Sequence, residues 1–115
     1  MSDLDRSISF YTSNLHLNLT SRREIKQNNA EIAFLKDEGS NAIELTHWRG
    51  KKIVGGDNFD HIAFEVNDIG AAVETLRKHG VTIAMEPYSL QGSTSRIAFV
   101  KDPDGNWLEL IQPQR

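Results

Sequence analysis

Two glutamates and one histidine carry most of the chemistry open to this 115-residue chain. It has no cysteine, which excludes a disulfide scaffold, thiolate catalysis and any Cys-based metal site. Reactive groups must therefore be His, carboxylate, hydroxyl or backbone. Glu44 lies in AIELTHW, Glu109 in NWLELIQ, and His61 in DHIAFEV. All three segments read as strands. Side chains alternate along a strand, so parity assigns the faces. In residues 41–48, Ile43 and Leu45 share one side, while Ala42, Glu44, Thr46 and Trp48 share the other. In 106–112, Leu108 and Leu110 oppose Trp107, Glu109 and Ile111. If the leucines pack under helices, both carboxylates point to the opposite, concave side. A carboxylate among apolar neighbours needs a partner, and a metal ion or a substrate proton supplies one. One His with two Glu suits a borderline divalent ion such as Zn, Ni, Co, Mn or Fe. The plain alternative is a solvated sheet face and a packing histidine.

Trp48 and Trp107 share the side of the glutamates. With Arg96 they are the candidate substrate-binding residues, although either tryptophan equally suits a core or a dimer contact. His47 falls on the other side of its strand. His16 and His79 sit at helix ends and read as structural, where an imidazole suits the helix dipole. The clusters Arg22-Arg23-Lys26 and Arg49-Lys51-Lys52 are either solvated or able to hold a carboxylate or phosphate. Residues 91–95 (QGSTS) form a polar loop or a lid. No Ser/His/Asp arrangement or phosphate-cradling glycine motif is evident.

The elements that position these residues come from a repeat. Residues 32–45 (IAFLKDEGSNAIEL) match 97–110 (IAFVKDPDGNWLEL) at 8 of 14 positions, with an offset of 65 and no gap. The offset also places Asp3-Leu4 on Asp68-Ile69, Ile8 on Val73 and Tyr11 on Leu76. Copy two predicts a strand over 60–66, then a helix capped by Asp68 and ended by Gly80. Strands over 81–86, 96–101 and 106–112 follow, with Pro87 and Asp102-Pro103-Asp104-Gly105 as breaks. Copy one predicts a helix over 3–14 and strands over 17–25, 30–36 and 42–48. The expected organisation is a first module at 1–50, a linker at 51–58 and a second module at 59–115. The strand equivalent to the one bearing His61 would lie ahead of Met1, so copy one is expected without its opening strand in this chain.

Composition bounds the rest. With 38% hydrophobic residues, 25% charged residues and a net charge of −3, the chain reads as one soluble α+β domain. No apolar run reaches the roughly 18 residues of a membrane span. No secretory signal is visible, so a cytoplasmic location is expected. Mild acidity argues against general nucleic-acid binding.

FDHIAFEVNDIGAAVETLRKHG, IAFVKDPDGNWLELIQP, DLDRSISFYTSNL and AIELTHW together resemble the glyoxalase I group of the vicinal oxygen chelate superfamily (glyoxalase/bleomycin resistance/dioxygenase). The resemblance covers nearly the whole chain. It implies tandem βαβββ modules forming a U-shaped mixed sheet around a metal, in a homodimer. In that family four side chains hold the metal, two from each module. Glu44, His61 and Glu109 match three of them, and the fourth would fall on the absent opening strand. The implied reaction converts the hemithioacetal of a 2-oxoaldehyde and glutathione into a thioester. Glu109 is the implied base and Glu44 its metal-bound counterpart. Trp48 stands where the human-type pattern has asparagine.

Two other readings stand beside this one. The first is a metal-free binding protein of the same fold, like the bleomycin resistance proteins. The second is an epimerase of a CoA thioester, since HIAFEVNDI resembles methylmalonyl-CoA epimerase. The partner expectations are a small-molecule substrate, no nucleic acid, no membrane, and a homodimer that exchanges a strand or domain across an open sheet edge.

Overall fold

Asp3 and Asp68 start the two helices. In this computed structural model, which describes residues 1–52, 61–89, 92 and 94–113, Asp3 accepts a hydrogen bond from the Arg6 amide at 3.0 Å. Asp68 accepts from the Ala71 amide at 3.1 Å. Each satisfies an amide that the first helical turn leaves unpaired. Helix α1 spans Leu4–Leu15 and buries Leu4, Ser7, Phe10 and Tyr11. Helix α2 spans Ile69–Lys78 and buries Ile69, Val73 and Leu76. α1 ends at His16 in the left-handed region, and α2 ends at His79 followed by Gly80 at φ +79°.

Three strands follow α1: β1 (Asn18–Ile25), β2 (Ala30–Lys36) and β3 (Ala42–Trp48). They form an antiparallel sheet in the order β1-β2-β3. The remaining strands are β4 (Ile62–Glu65), β5 (Thr82–Ser89), β6 (Arg96–Lys101) and β7 (Trp107–Gln112). They form a mixed sheet in the order β4-β7-β6-β5, with β4 parallel to β7. The described strands thus make two sheets within a mixed α+β fold. The chain divides into two units, Met1–Gly55 and Gly56–Arg115.

Repeat and register agree. Ala33 pairs with Leu45 in unit one, and Ala98 pairs with Leu110 in unit two. All four are buried, with Leu35, Val100 and Leu108 beside them. A leucine buried in this way contributes about 2 kcal/mol. Asp37 and Asp102 register the two hairpins. Asp37 accepts from the Gly39 and Asn41 amides and from Asn41 Nδ2. Asp102 accepts from the Asp104 and Asn106 amides and from Asn106 Nδ2. Along the side of β7 away from β6 lies β4, whose exit is marked by the Val66 amide donating to the Ile111 carbonyl at 2.8 Å. At the equivalent place beside β3, the Met1 amine donates to the Thr46 carbonyl at 2.6 Å. Among the described residues, β3 pairs as a ladder with β2 alone.

Two expectations need correction. β5 does not stop before Pro87 but runs through it to Ser89. It is the outer strand of its sheet, and its register with β6 slips on both sides of Met85. A proline, which has no amide hydrogen, is tolerated at such an irregular edge. A 3₁₀ turn at Lys26–Asn28, closed by Asn29 at φ 51°, separates β1 from β2 and was not expected. Most of the 51–58 linker, Phe59-Asp60, and parts of the 91–95 loop lie outside the described residues.

Candidate functional site

Glu109 sits on β7, which has a strand on each side. Its register partners are Ala63 in β4 and Phe99 in β6. Leu108 and Leu110 are buried on the α2 side, so Glu109 faces the other way with Trp107, as parity expected. His61 immediately precedes β4 and shares the parity of Ala63. Its Nε2 lies 3.4 Å from Glu109 Oε1. The Glu109 side chain is 15% exposed and that of His61 34% exposed. The His61 ring meets the Phe99 ring edge-on, with centroids 5.3 Å apart. Phe99 in turn lies 5.4 Å from Trp107, and Lys101 Nζ stands 5.8 Å from the Trp107 centroid. A row of rings thus flanks the imidazole and carboxylate on one face of one sheet.

In unit one, Glu44 pairs in register with Phe34. Its side chain is exposed. The Thr46 hydroxyl donates to Glu44 Oε1 at 2.9 Å. Trp48, on the same side, is 41% exposed, and Lys51 Nζ lies 4.0 Å from its ring centroid.

The structure therefore brings His61 and Glu109 together, while Glu44 belongs to the other unit. The pair fits two donors of a divalent ion: an imidazole nitrogen and a carboxylate oxygen, with the carboxylate on a strand paired along both edges. Among the described residues, no three His, Cys, Asp or Glu side chains gather as a metal-holding group. Arg96 pairs with Gln112, and alternation puts it with Ala98 and Val100, on the side away from Glu109. His47 is half-buried, with Nδ1 2.7 Å from the Met1 carbonyl, and lies on the side of β3 away from Glu44. His16 and His79 are helix caps, as expected.

Part of the basic surface is already paired. Arg22 holds Glu31 through Nε at 2.7 Å and Nη2 at 3.1 Å, and also bonds Asp5 of α1. Arg49 bonds Glu24 at 2.8 Å. The hydrogen bond from Arg22 holds the Glu31 carboxyl below its ordinary range, against a smaller opposing push from burial. The same contact raises the Arg22 guanidinium.

Thr46 and Phe99 are the neighbours that sequence reasoning did not single out for this role. Parity alone places Thr46 beside Glu44, two residues away on the same side. Phe99 needed the β6–β7 register, which the Asp102 turn sets.

Comparison with known proteins agrees with this architecture. Residues 1–110 match the family model described as the Glyoxalase/Bleomycin resistance protein/Dioxygenase superfamily. A protein of Vibrio cholerae named as a probable lactoylglutathione lyase is 42% identical over 114 residues, covering 96% of this chain and 83% of that one. The trypanothione-dependent glyoxalase I of Leishmania major superposes with a TM-score of 0.82 at 34% identity, covering 97% of this chain and 80% of that one. Glyoxalase I of Zea mays superposes with a TM-score of 0.86 at 34% identity. That match covers all of this chain but only 42% of the maize chain. The chain belongs to the glyoxalase/bleomycin resistance protein/dioxygenase superfamily.

Proposed function

We propose that this chain is a lactoylglutathione lyase, isomerising the hemithioacetal of a 2-oxoaldehyde and glutathione to the thioester of a 2-hydroxy acid. The observation that carries this is the Glu109 carboxylate, set on an inner strand 3.4 Å from His61 Nε2. The similarity over 96% of the chain to a protein named as a probable lactoylglutathione lyase supports it.

The reaction moves hydrogen and conserves every atom. The carbon bearing sulfur and hydroxyl loses its proton to Glu109, and the adjacent carbonyl carbon receives it back. The hydroxyl proton passes to the neighbouring oxygen, leaving a thioester carbonyl behind. Between the two transfers, negative charge spreads over both oxygens. His61 and Glu109 are the proposed ligands in the second module and Glu44 the proposed ligand in the first, and a divalent ion (Zn or Ni first; Co, Mn or Fe otherwise) would supply Lewis-acid stabilisation of that charge. Glu109 must hold and return a proton, work worth about 10²–10⁴-fold in rate for a positioned base. Trp107 and Trp48 offer apolar surface on the sides of their sheets that carry Glu109 and Glu44.

A cytoplasmic setting, where glutathione keeps thiols reduced, belongs to the same proposal. No described helix is long and apolar enough to cross a membrane. A homodimer belongs to the same proposal. Light scattering that gives a monomer at micromolar concentration overturns the dimer.

The activity is tested by adding methylglyoxal and glutathione to the purified chain with Zn²⁺ or Ni²⁺ and following thioester absorbance. Turnover that disappears in Glu109→Gln is the expected result. Substrate binding with no turnover under any of the five metals overturns the lyase and leaves a binding protein.

A further inference from the structure

We infer that Thr46 is a positioning residue for Glu44, and that it sets this carboxylate apart from its repeat partner Glu109. The inference rests on the function proposed above insofar as Glu44 serves as a ligand. Thr46 Oγ1 donates its one proton to Glu44 Oε1 at 2.9 Å. The donor is itself well fixed. Thr46 pairs in register with Ile32, which is buried, and its carbonyl accepts from the Met1 amine. Its β-branched side chain has few rotamers. Glu44 is exposed and otherwise has several side-chain torsions to lose. The hydrogen bond ties Oε1 and leaves Oε2 for an ion or a substrate.

The second module lacks this device. The residue 65 positions after Thr46 is Ile111, which has no hydroxyl. Glu109 is confined differently, by His61 and by strands on both sides. One carboxylate is tethered on an open face, and its repeat partner is enclosed without that tether. The tethered group suits a ligand that stays in place, and the other suits a base that must take up and release a proton.

Thr46→Val keeps the shape and removes the donor, while Thr46→Ser restores it. Glu44 side-chain couplings by NMR, assigned with Glu44→Gln, should show one rotamer in the wild type. They should show averaging in Thr46→Val and recovery in Thr46→Ser. Zn²⁺ affinity, read by competition with a chelator, should fall about tenfold in Thr46→Val, the lower end for loss of a ligand's hydrogen-bond partner. It should return in Thr46→Ser. An unchanged urea midpoint shows that the fold is kept. Averaged Glu44 couplings in the wild type overturn the inference, as does a Thr46→Val chain matching wild type in both readouts. A single Glu44 rotamer in a chain that takes up no zinc, nickel or other divalent ion supports the positioning and overturns the metal function instead.

Discussion

Asp37 and Asp102 stand 65 residues apart and bind their turns in the same way. Each accepts two backbone amides, two and four residues on, and the side-chain amide of an asparagine four residues on. Each also donates its own amide to that asparagine's carbonyl. The turns fix the β2–β3 and β6–β7 registers, and with them the rows in which Glu44 and Glu109 stand.

The two aspartates differ in burial. Asp102 is 5% exposed, whereas Asp37 is half-buried. Removing a buried acceptor strands its donors, at about 1–3 kcal/mol. Asp102→Ala should therefore cost about 2–3 kcal/mol and Asp37→Ala about 1 kcal/mol. Urea denaturation measures both, and equal losses would show that burial does not separate the turns.

Arg22 and Glu31 predict a dependence on pH. The Arg22 hydrogen bond lowers the folded-state pKa of Glu31. The resulting stability is fully present above the unfolded carboxyl value, about 4.3. It is lost as pH falls through the lower folded value. Arg22→Ala should cost about 1 kcal/mol at pH 7, because the pair is partly solvated. That difference should shrink towards zero in acid. A difference that stays constant from neutral pH to pH 2 contradicts the pairing.

Much of this was readable from residues alone. β2, β3 and β6 have the expected bounds, because the Asp37 and Asp102 turns end them sharply. The sides of Glu44 and Glu109 followed from alternation. Pro87 misled, because a proline signals a break unless its strand is known to lie at an edge. The Lys26–Asn28 turn carries no Gly or Pro, and Asn29 entering the left-handed region gave no pattern to count. The His61–Phe99 contact depends on two registers at once, a parallel β4–β7 pair and an antiparallel β6–β7 pair. A parallel pair is not set by a local turn, so spacing along the chain does not reveal it.

Phe99 should matter more to metal binding than to stability. Its ring edge contact with His61 is worth about 0.5–1.5 kcal/mol beyond simple burial. Phe99→Leu keeps apolar volume but loses the ring, so about 1 kcal/mol of stability should go. Zn²⁺ affinity should drop about tenfold as the imidazole loses its support. Competition titration beside urea denaturation separates the two. Unaltered zinc affinity would mean that the Phe99 ring does not hold His61 in place for the ion.

Glu109 and Glu44 should part company when each is changed to glutamine. A carboxamide nearly matches carboxylate shape, so neither variant should unfold. It holds no negative charge and takes up no proton, so the variants test charge and basicity. In Glu109→Gln, turnover should fall by about 10² or more, the range for loss of a positioned base. In Glu44→Gln, zinc affinity should fall first, and turnover measured at saturating zinc should recover in part. The repeat makes the two positions equivalent, but their surroundings do not. Glu109 faces His61 at 3.4 Å, and Glu44 takes a hydroxyl proton at 2.9 Å. If both variants lose turnover equally at saturating zinc, the carboxylates share the proton transfer and the division of labour fails.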